Sequence, residues 1–120
     1  RVQPVVTKDE LLQLVQETRN VEANDRIFDY VTTLAEATRT HPMVELGVSP
    51  RGALALCRMA KAHAFLAGRD FVVPEDVAAV FPDVCAHRLI LSAKARMMEE
   101  KAENILAEIL KSVDMPVLKA

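Results

Sequence analysis

Apolar side chains recur at helical spacing along most of this chain. Between residues 27 and 38 they follow the period of about 3.6 residues expected for one helix face, at Ile27, Phe28, Val31, Leu34, Ala35 and Thr38. Asn24 or Asp25 is suited to begin this helix, because a short polar side chain can accept a hydrogen bond from the first turn. His41-Pro42 is expected to end it, since the residue before a proline resists helical geometry.

Capping residues and a glycine mark two further helices. Thr7 and Glu10 form a capping-box pattern at the start of the first helix. One face of that helix is expected to be lined by Leu11, Leu14, Val15 and Thr18. An alanine-rich helix is predicted over 50–66, and Gly68 suits its C-terminal stop. The small side chains indicate that this is the central helix of the fold.

Two more helices are predicted in the second half of the chain. Pro74 and two acidic residues open one of them, and Pro82 is expected to break it or to restart a turn. The last helix is predicted from about Ala95 to Val113. Its buried stripe is formed by Ala102, Ile105, Leu106, Ile109, Leu110 and Val113.

Two short segments of the chain favour β-structure, but they do not change the predicted helical class. Residues 71–73 and 88–91 are expected to pair as a very short two-stranded ribbon. The chain has no internal repeat, and its 120 residues, 51% of them hydrophobic, suffice for one core. The sequence therefore predicts a single all-α domain over residues 1–120, a bundle of about five helices.

The composition of the chain and the absence of several sequence motifs count against several classes of function. The net charge of −2 is unusual for a general nucleic-acid binder, and no apolar run reaches the roughly 20 residues of a membrane span. Cys57 and Cys85 lack a CxxC partner and are expected to be buried thiols in a reducing compartment. The histidines lack metal-site spacing, so no metal site is expected. Without a GxxxxGK[ST] loop, an acid-ended strand or a GxSxG elbow, the chain is not expected to be an enzyme on its own.

Arg51 is the one unusual residue of the predicted central helix. Ser49 suits the N-cap and Pro50 the first helical position, which places a cation where the helix dipole disfavours it by roughly 0.3–1 kcal/mol. Such a placement suggests an anion contact, because free N–H groups and a guanidinium group can face the same oxyanion. The alternative is a surface arginine paired with a carboxylate.

Several blocks of the sequence resemble one known family. Residues 37–42 read ATRTHP and residues 46–51 read LGVSPR. The downstream blocks are GRDFV at 68–72, PEDV at 74–77, HRLIL at 87–91 and VDMP at 113–116. In order and spacing, from about Val6 to Pro116, they resemble the C-terminal helical lid domain of MoxR-type AAA+ ATPases. Val73 departs from the pattern, since a capping Thr or Ser is common at that position.

The resemblance implies roles for individual residues. Arg51 would be the sensor 2 residue, which reaches from the lid to the phosphates of the nucleotide, and Ser49 and Pro50 would set where its helix begins. Arg39 and His41 are expected either to hold the preceding loop or to face a neighbouring subunit. Arg88 is expected at a hinge or an interface.

The resemblance also implies partners. ATP and Mg²⁺ would be bound mainly by an N-terminal P-loop ATPase domain that is absent from this chain, and the fragment alone would need no cofactor. The parent protein would form a homo-oligomeric ring, expected to be a hexamer, in the cytoplasm. It would remodel or activate client proteins as a chaperone-like motor, with von Willebrand factor A domain proteins as partners and with neither nucleic acid nor a membrane span.

Two other functions fit the same pattern. In a helical DNA-binding module, the helix over 50–66 would enter the major groove and present Arg51, Arg58 and Lys61. The acidic balance and the alanine-rich character of that helix count against this hypothesis. In a plain protein adaptor, the same arginine would have no phosphate to contact.

Overall fold

The computed structural model describes residues 7–117, apart from the side chains of Leu11, Leu14 and Val15. The predicted lining of the first helix by those three side chains lies outside the described residues. The helices are α1 (Lys8–Arg19), α2 (Asp25–Thr40), α3 (Pro50–Leu66), α4 (Pro74–Cys85), α5 (Ala93–Met97) and α6 (Ala102–Ser112). A 3-10 turn (Ala86–Arg88) follows α4, and two short strands, β1 (Val44–Leu46) and β2 (Ile90–Leu91), form one antiparallel ribbon. The predicted all-α class is confirmed.

Most predicted helix ends are confirmed. The Thr7 hydroxyl accepts a hydrogen bond from the Glu10 N–H group, and the Glu10 carboxylate accepts one from the Thr7 N–H group. Asn24 caps α2 through the Ile27 N–H group. Gly68, whose φ is +83°, follows the end of α3 in the left-handed conformation that glycine adopts without steric cost.

Two predictions about the later helices were wrong, one about Pro82 and one about the extent of the last helix. Pro82 neither breaks α4 nor ends it, and the helix continues to Cys85. The buried side chains of Phe81 and Cys85 on either side of the proline hold this turn in the core, and such packing outweighs local helix propensity.

The predicted last helix is divided into α5 and α6. Its interruption centres on Glu99, which takes a left-handed φ of +56°. The Glu99 and Glu100 N–H groups bond back to the Arg96 and Ala95 carbonyl oxygens, which is how a helix is ended by a left-handed residue. No glycine marks the stop, so the sequence gives little sign of it.

The predicted ribbon exists, but one of its strands was misplaced. β2 pairs with β1, with Val44 opposite Leu91 and Leu46 opposite Ile90. Phe71 instead forms an isolated parallel bridge with Glu22, in the connection between α1 and α2. Strand β1 is three residues long, too short to show the alternation by which strands are recognised.

The core lies between α2, α3, α4 and α6. Its fully buried side chains include Leu34, Leu56, Phe81 and Leu106, one from each of these helices. Ala60 and Ala64 are also fully buried and allow α3 to lie close to its neighbours. Phe28, predicted on the buried face of α2, is 43% exposed, at the edge of that face. No helix in residues 7–117 combines the length and the apolar character needed to cross a membrane.

Candidate functional site

Arg51 lies in the first turn of α3, on a helix start that is capped as predicted. The Ser49 hydroxyl oxygen accepts a hydrogen bond from the Gly52 N–H group at 3.2 Å, and Pro50 takes the first helical position. The Arg51 side chain is exposed. Within residues 7–117 it has neither an ion pair nor a side-chain hydrogen bond. Its guanidinium group is therefore available to an anion outside the described part of the chain.

The peptide groups of Val48, just before the cap, are held on both sides. The oxygen of the Thr38 hydroxyl group accepts a hydrogen bond from the Val48 N–H group at 2.9 Å, and its O–H donates one to the Ala35 carbonyl oxygen at 2.6 Å. Nε of Arg39 donates to the Val48 carbonyl oxygen at 2.9 Å. Thr38 and Val48 are both fully buried. These bonds fix the start of α3 to the end of α2.

Gly47 allows the two segments to approach this closely. A Cβ atom on Gly47 would lie 2.7 to 2.8 Å from backbone atoms of Thr38 and Arg39. Backbone cannot give way as a flexible side chain can, so glycine is required at this position by contact. The ATRTHP and LGVSPR blocks therefore meet at one junction, where the end of α2 contacts the start of α3.

Arg39 and His41 both make local contacts. Arg39 also pairs with Glu36, one turn earlier in α2, at 3.3 Å. Nδ1 of His41 accepts a hydrogen bond from the Met43 N–H group, and Nε2 lies 3.6 Å from the Glu108 carboxylate on α6. Both side chains therefore connect the loop after α2 to its surroundings, while contact with a neighbouring subunit stays a prediction.

Arg88 comes close to the same turn of α3. It lies on the exposed 3-10 turn after α4, and its Cδ atom would be 3.2 Å from a Cβ atom on Gly52. The aliphatic part of Arg88 therefore lies beside the first turn of α3. The sequence did not predict this proximity, and the only signal for it is the missing side chain at Gly52. The predicted hinge or interface role of Arg88 stays a prediction.

A second polar cluster, which sequence reasoning missed, surrounds Asp76. The carboxylate is fully buried and accepts two hydrogen bonds from Arg69, at 2.6 and 2.8 Å, and one from the Val73 N–H group. Nδ1 of His63 lies 2.6 Å from the same carboxylate. Burial acts to raise the pKa of Asp76, but the hydrogen bonds from Arg69, Val73 and His63 outweigh it, and the pKa is lowered.

This cluster joins three parts of the fold. His63 belongs to α3, Arg69 to the connection after it, and Asp76 to the first turn of α4. The Asp76 carboxylate also accepts a hydrogen bond from the Val73 N–H group, which is the half of a capping box that does not need a hydroxyl group at Val73. The side chain of Val73 itself caps no N–H group of α4. This role explains Arg69 in the GRDFV block and Asp76 in the PEDV block, and the short separation of these two opposite charges in the sequence could have signalled their pairing.

Neither cysteine is activated. Cys85 is fully buried and Cys57 is half-buried, and neither forms a disulfide. Burial raises the pKa of both thiols, that of Cys85 to about 11, against a smaller opposing effect of Arg88 on Cys85 and of Lys61 on Cys57. Both thiols stay protonated at neutral pH.

The fold, with its junction between the end of α2 and the start of α3, is that of a known domain family. The family model for the AAA lid domain matches residues 36–109, which include both halves of the junction and the Asp76 cluster. The chain belongs to the AAA lid domain family. The predicted resemblance to MoxR-type lids is also confirmed by the following relatives.

The relatives include chaperones of the MoxR type. Chaperone MoxR1 of Mycobacterium tuberculosis is 32% identical over 125 residues, covering 97% of this chain and 33% of the relative. An uncharacterized protein of Bacillus subtilis, YeaC, is 40% identical over 119 residues, covering 99% of this chain and 37% of YeaC.

A solved structure shows the same fold. The crystal structure of a Cytophaga hutchinsonii protein assigned as an ATPase superposes with a TM-score of 0.88 at 32% identity. The match covers 97% of this chain and 38% of that protein. The chain thus spans well under half the length of the relatives that it matches.

Proposed function

We propose that this chain is the lid of a MoxR-type ATPase and that Arg51 is its sensor 2 residue, which contacts the phosphates of ATP held by a separate ATPase domain. The observation that carries the proposal is the exposed Arg51 guanidinium group, which has no partner in residues 7–117 although its helix start is fixed by Ser49, Thr38 and Arg39. Family membership supports it.

The residues at this helix start suit a phosphate group. A guanidinium group offers several N–H donors to phosphate oxygens, and a cation near the γ-phosphate offsets charge that develops during phosphoryl transfer. Because α3 is bonded to the end of α2, any movement of the lid carries Arg51 with it. The contact therefore reports whether the γ-phosphate is present.

The rest of the proposal concerns the parent protein. Its ATPase domain would bind ATP and Mg²⁺, and the lid alone would neither hydrolyse ATP nor bind it tightly. The parent would assemble into a ring, expected to be a hexamer, and would remodel or activate clients, with von Willebrand factor A domain proteins among its partners. The name of the relative MoxR1 supports the chaperone role. The cytoplasmic location stays a prediction.

The deciding experiment changes Arg51 in the full-length protein. Arg51→Ala should lower ATP turnover by about tenfold or more, which corresponds to about 1.4 kcal/mol in the transition state. The exposed Arg96 on α5 provides a matched control, and Arg96→Ala should leave turnover unchanged. Thermal unfolding should be the same for both variants, because neither side chain is in the core. Normal turnover in Arg51→Ala would contradict the proposal.

The two alternative functions give different results. A protein adaptor predicts that Arg51→Ala leaves turnover untouched. A DNA-binding module predicts a gel shift at low salt, with affinity that falls steeply as salt is added. Tight DNA binding of that kind would count against the lid role.

A further inference from the structure

An open groove of about 660 Å³ lies between α1, α2 and α3. Its apolar lining includes Phe28 on α2 and Leu54 on α3, which are 43% and 50% exposed, and the half-buried Cys57. Large apolar side chains grouped at an exposed groove are a feature of surfaces that bind a partner.

The same groove is strongly cationic. Arg19, Arg58 and Lys61 line it, and no carboxylate does among the described residues. None of the three forms an ion pair within residues 7–117. Helix α3 contains no acidic residue at all, although the whole chain carries 17 acidic and 15 basic side chains. The groove is therefore a positive surface on a chain whose net charge is negative.

The mixture of charge and apolar surface favours a protein segment over a nucleic acid. Single-stranded nucleic acids bind through aromatic side chains on which bases stack, and Phe28 is the only aromatic residue of the described lining. Leu54 and Cys57 suit aliphatic side chains instead. An amphipathic helix can lay such side chains in a groove while its flanking carboxylates reach the cations at the rim.

We propose that this groove docks an amphipathic segment of a partner protein, in which carboxylates flank a row of aliphatic side chains. The aliphatic side chains contact Phe28 and Leu54, and the carboxylates pair with Arg19, Arg58 and Lys61. Arg51 does not line the groove, so the proposal stands independently of the sensor 2 role.

A titration with synthetic peptides tests the proposal. The 120-residue chain is added to a fluorescein-labelled peptide of about four helical turns, built with Leu on one face and Glu beside it, and binding is followed by fluorescence anisotropy. One control peptide replaces every Glu by Lys and another replaces every Leu by Ser. Oligothymidylate serves as the nucleic-acid control. The Glu–Leu peptide should bind in the micromolar range and at least about tenfold more tightly than the three controls.

Variants of the chain locate the contact. The double variant Arg58→Glu/Lys61→Glu should weaken binding of the Glu–Leu peptide by at least about tenfold. Lys94→Glu/Arg96→Glu makes the same change of charge at exposed positions of α5, outside the groove, and should keep the affinity. Leu54→Ser tests the apolar contact and should also weaken binding. Circular dichroism confirms folding, and Arg58→Gln/Lys61→Gln replaces the first variant should it unfold.

Three results would overturn the proposal. The Glu–Leu peptide could fail to bind, which would remove the docking surface. Equal losses in the α3 and α5 double variants would show that only the net charge matters. Oligothymidylate binding as tightly as the peptide would assign the surface to nucleic acid.

Discussion

Thr38 lies on the buried face of α2, where its hydroxyl group makes two hydrogen bonds. It accepts from the Val48 N–H group and donates to the Ala35 carbonyl oxygen. The helical period correctly predicted that Thr38 faces the core, because burial follows from spacing alone. It could not predict the bond to Val48, which depends on how the chain returns after Pro42. The sequence likewise left two roles open for Arg39 and did not predict its hydrogen bond to the Val48 carbonyl oxygen.

Replacing Thr38 by valine should therefore destabilise the fold although the shape of the side chain is kept. The Val48 N–H group would lose its buried acceptor, at a cost of about 1–3 kcal/mol. Thr38→Ser keeps the hydroxyl group and removes only a methyl group, so it should cost about 1 kcal/mol or less. Urea unfolding of the two variants measures the difference. A Thr38→Val variant as stable as Thr38→Ser would show that this hydrogen bond does not stabilise the junction.

At the scale of whole elements, the sequence predicted helices better than their interruptions. α2 and α3 have clear signals at both ends, a polar cap at one end and a proline or glycine at the other. Pro82 is a strong local signal that the packing of α4 overrides. The turn between α5 and α6 depends on a left-handed Glu99, a conformation that a non-glycine sequence does not signal.

Helix α6 provides a test of packing that was predicted from spacing. Leu106 is fully buried between α6 and the rest of the core. Leu106→Ala should lower the free energy of unfolding by about 2–5 kcal/mol, because it removes buried surface and leaves a cavity. Leu66, at the end of α3, is 81% exposed, so Leu66→Ala should stay within about 0.5 kcal/mol. Similar losses in denaturant unfolding would mean that α6 does not pack as described.

At the scale of the whole molecule, Asp76 connects the central helix to the second half of the fold. The sequence contained all three side chains of this cluster, but their partnership was not predicted. Helical spacing describes one helix at a time, so it shows neither the path of the connection that carries Arg69 nor the contact between His63 on α3 and Asp76 on α4. The resemblance to MoxR-type lids included the GRDFV and PEDV blocks, but it did not explain why Arg69 and Asp76 occur in them. The reason is a buried carboxylate that Arg69 and His63 satisfy from two directions.

The lowered pKa of Asp76 gives the fold a dependence on acid. A carboxyl group whose pKa is lower in the folded chain than in the unfolded chain stabilises the fold above the unfolded value of about 3.9. That contribution is lost as the pH falls from there through the folded pKa, because the unfolded chain binds the proton first. The free energy of unfolding should therefore decrease on acidification below about pH 4.

Asp76→Asn should remove this part of the acid dependence and destabilise the fold at neutral pH. The loss at pH 7 should lie toward the lower end of the about 3–5 kcal/mol expected for a broken buried pair, because Arg69 keeps some contact with solvent. Asp83→Asn, at an exposed position of α4, changes the same chemical group without touching an ion pair in residues 7–117. Urea unfolding of all three proteins from neutral to acidic pH compares the slopes. If Asp76→Asn kept the wild-type slope, the acid sensitivity would arise from other carboxylates, and Asp76 would hold α3 and α4 together by geometry alone.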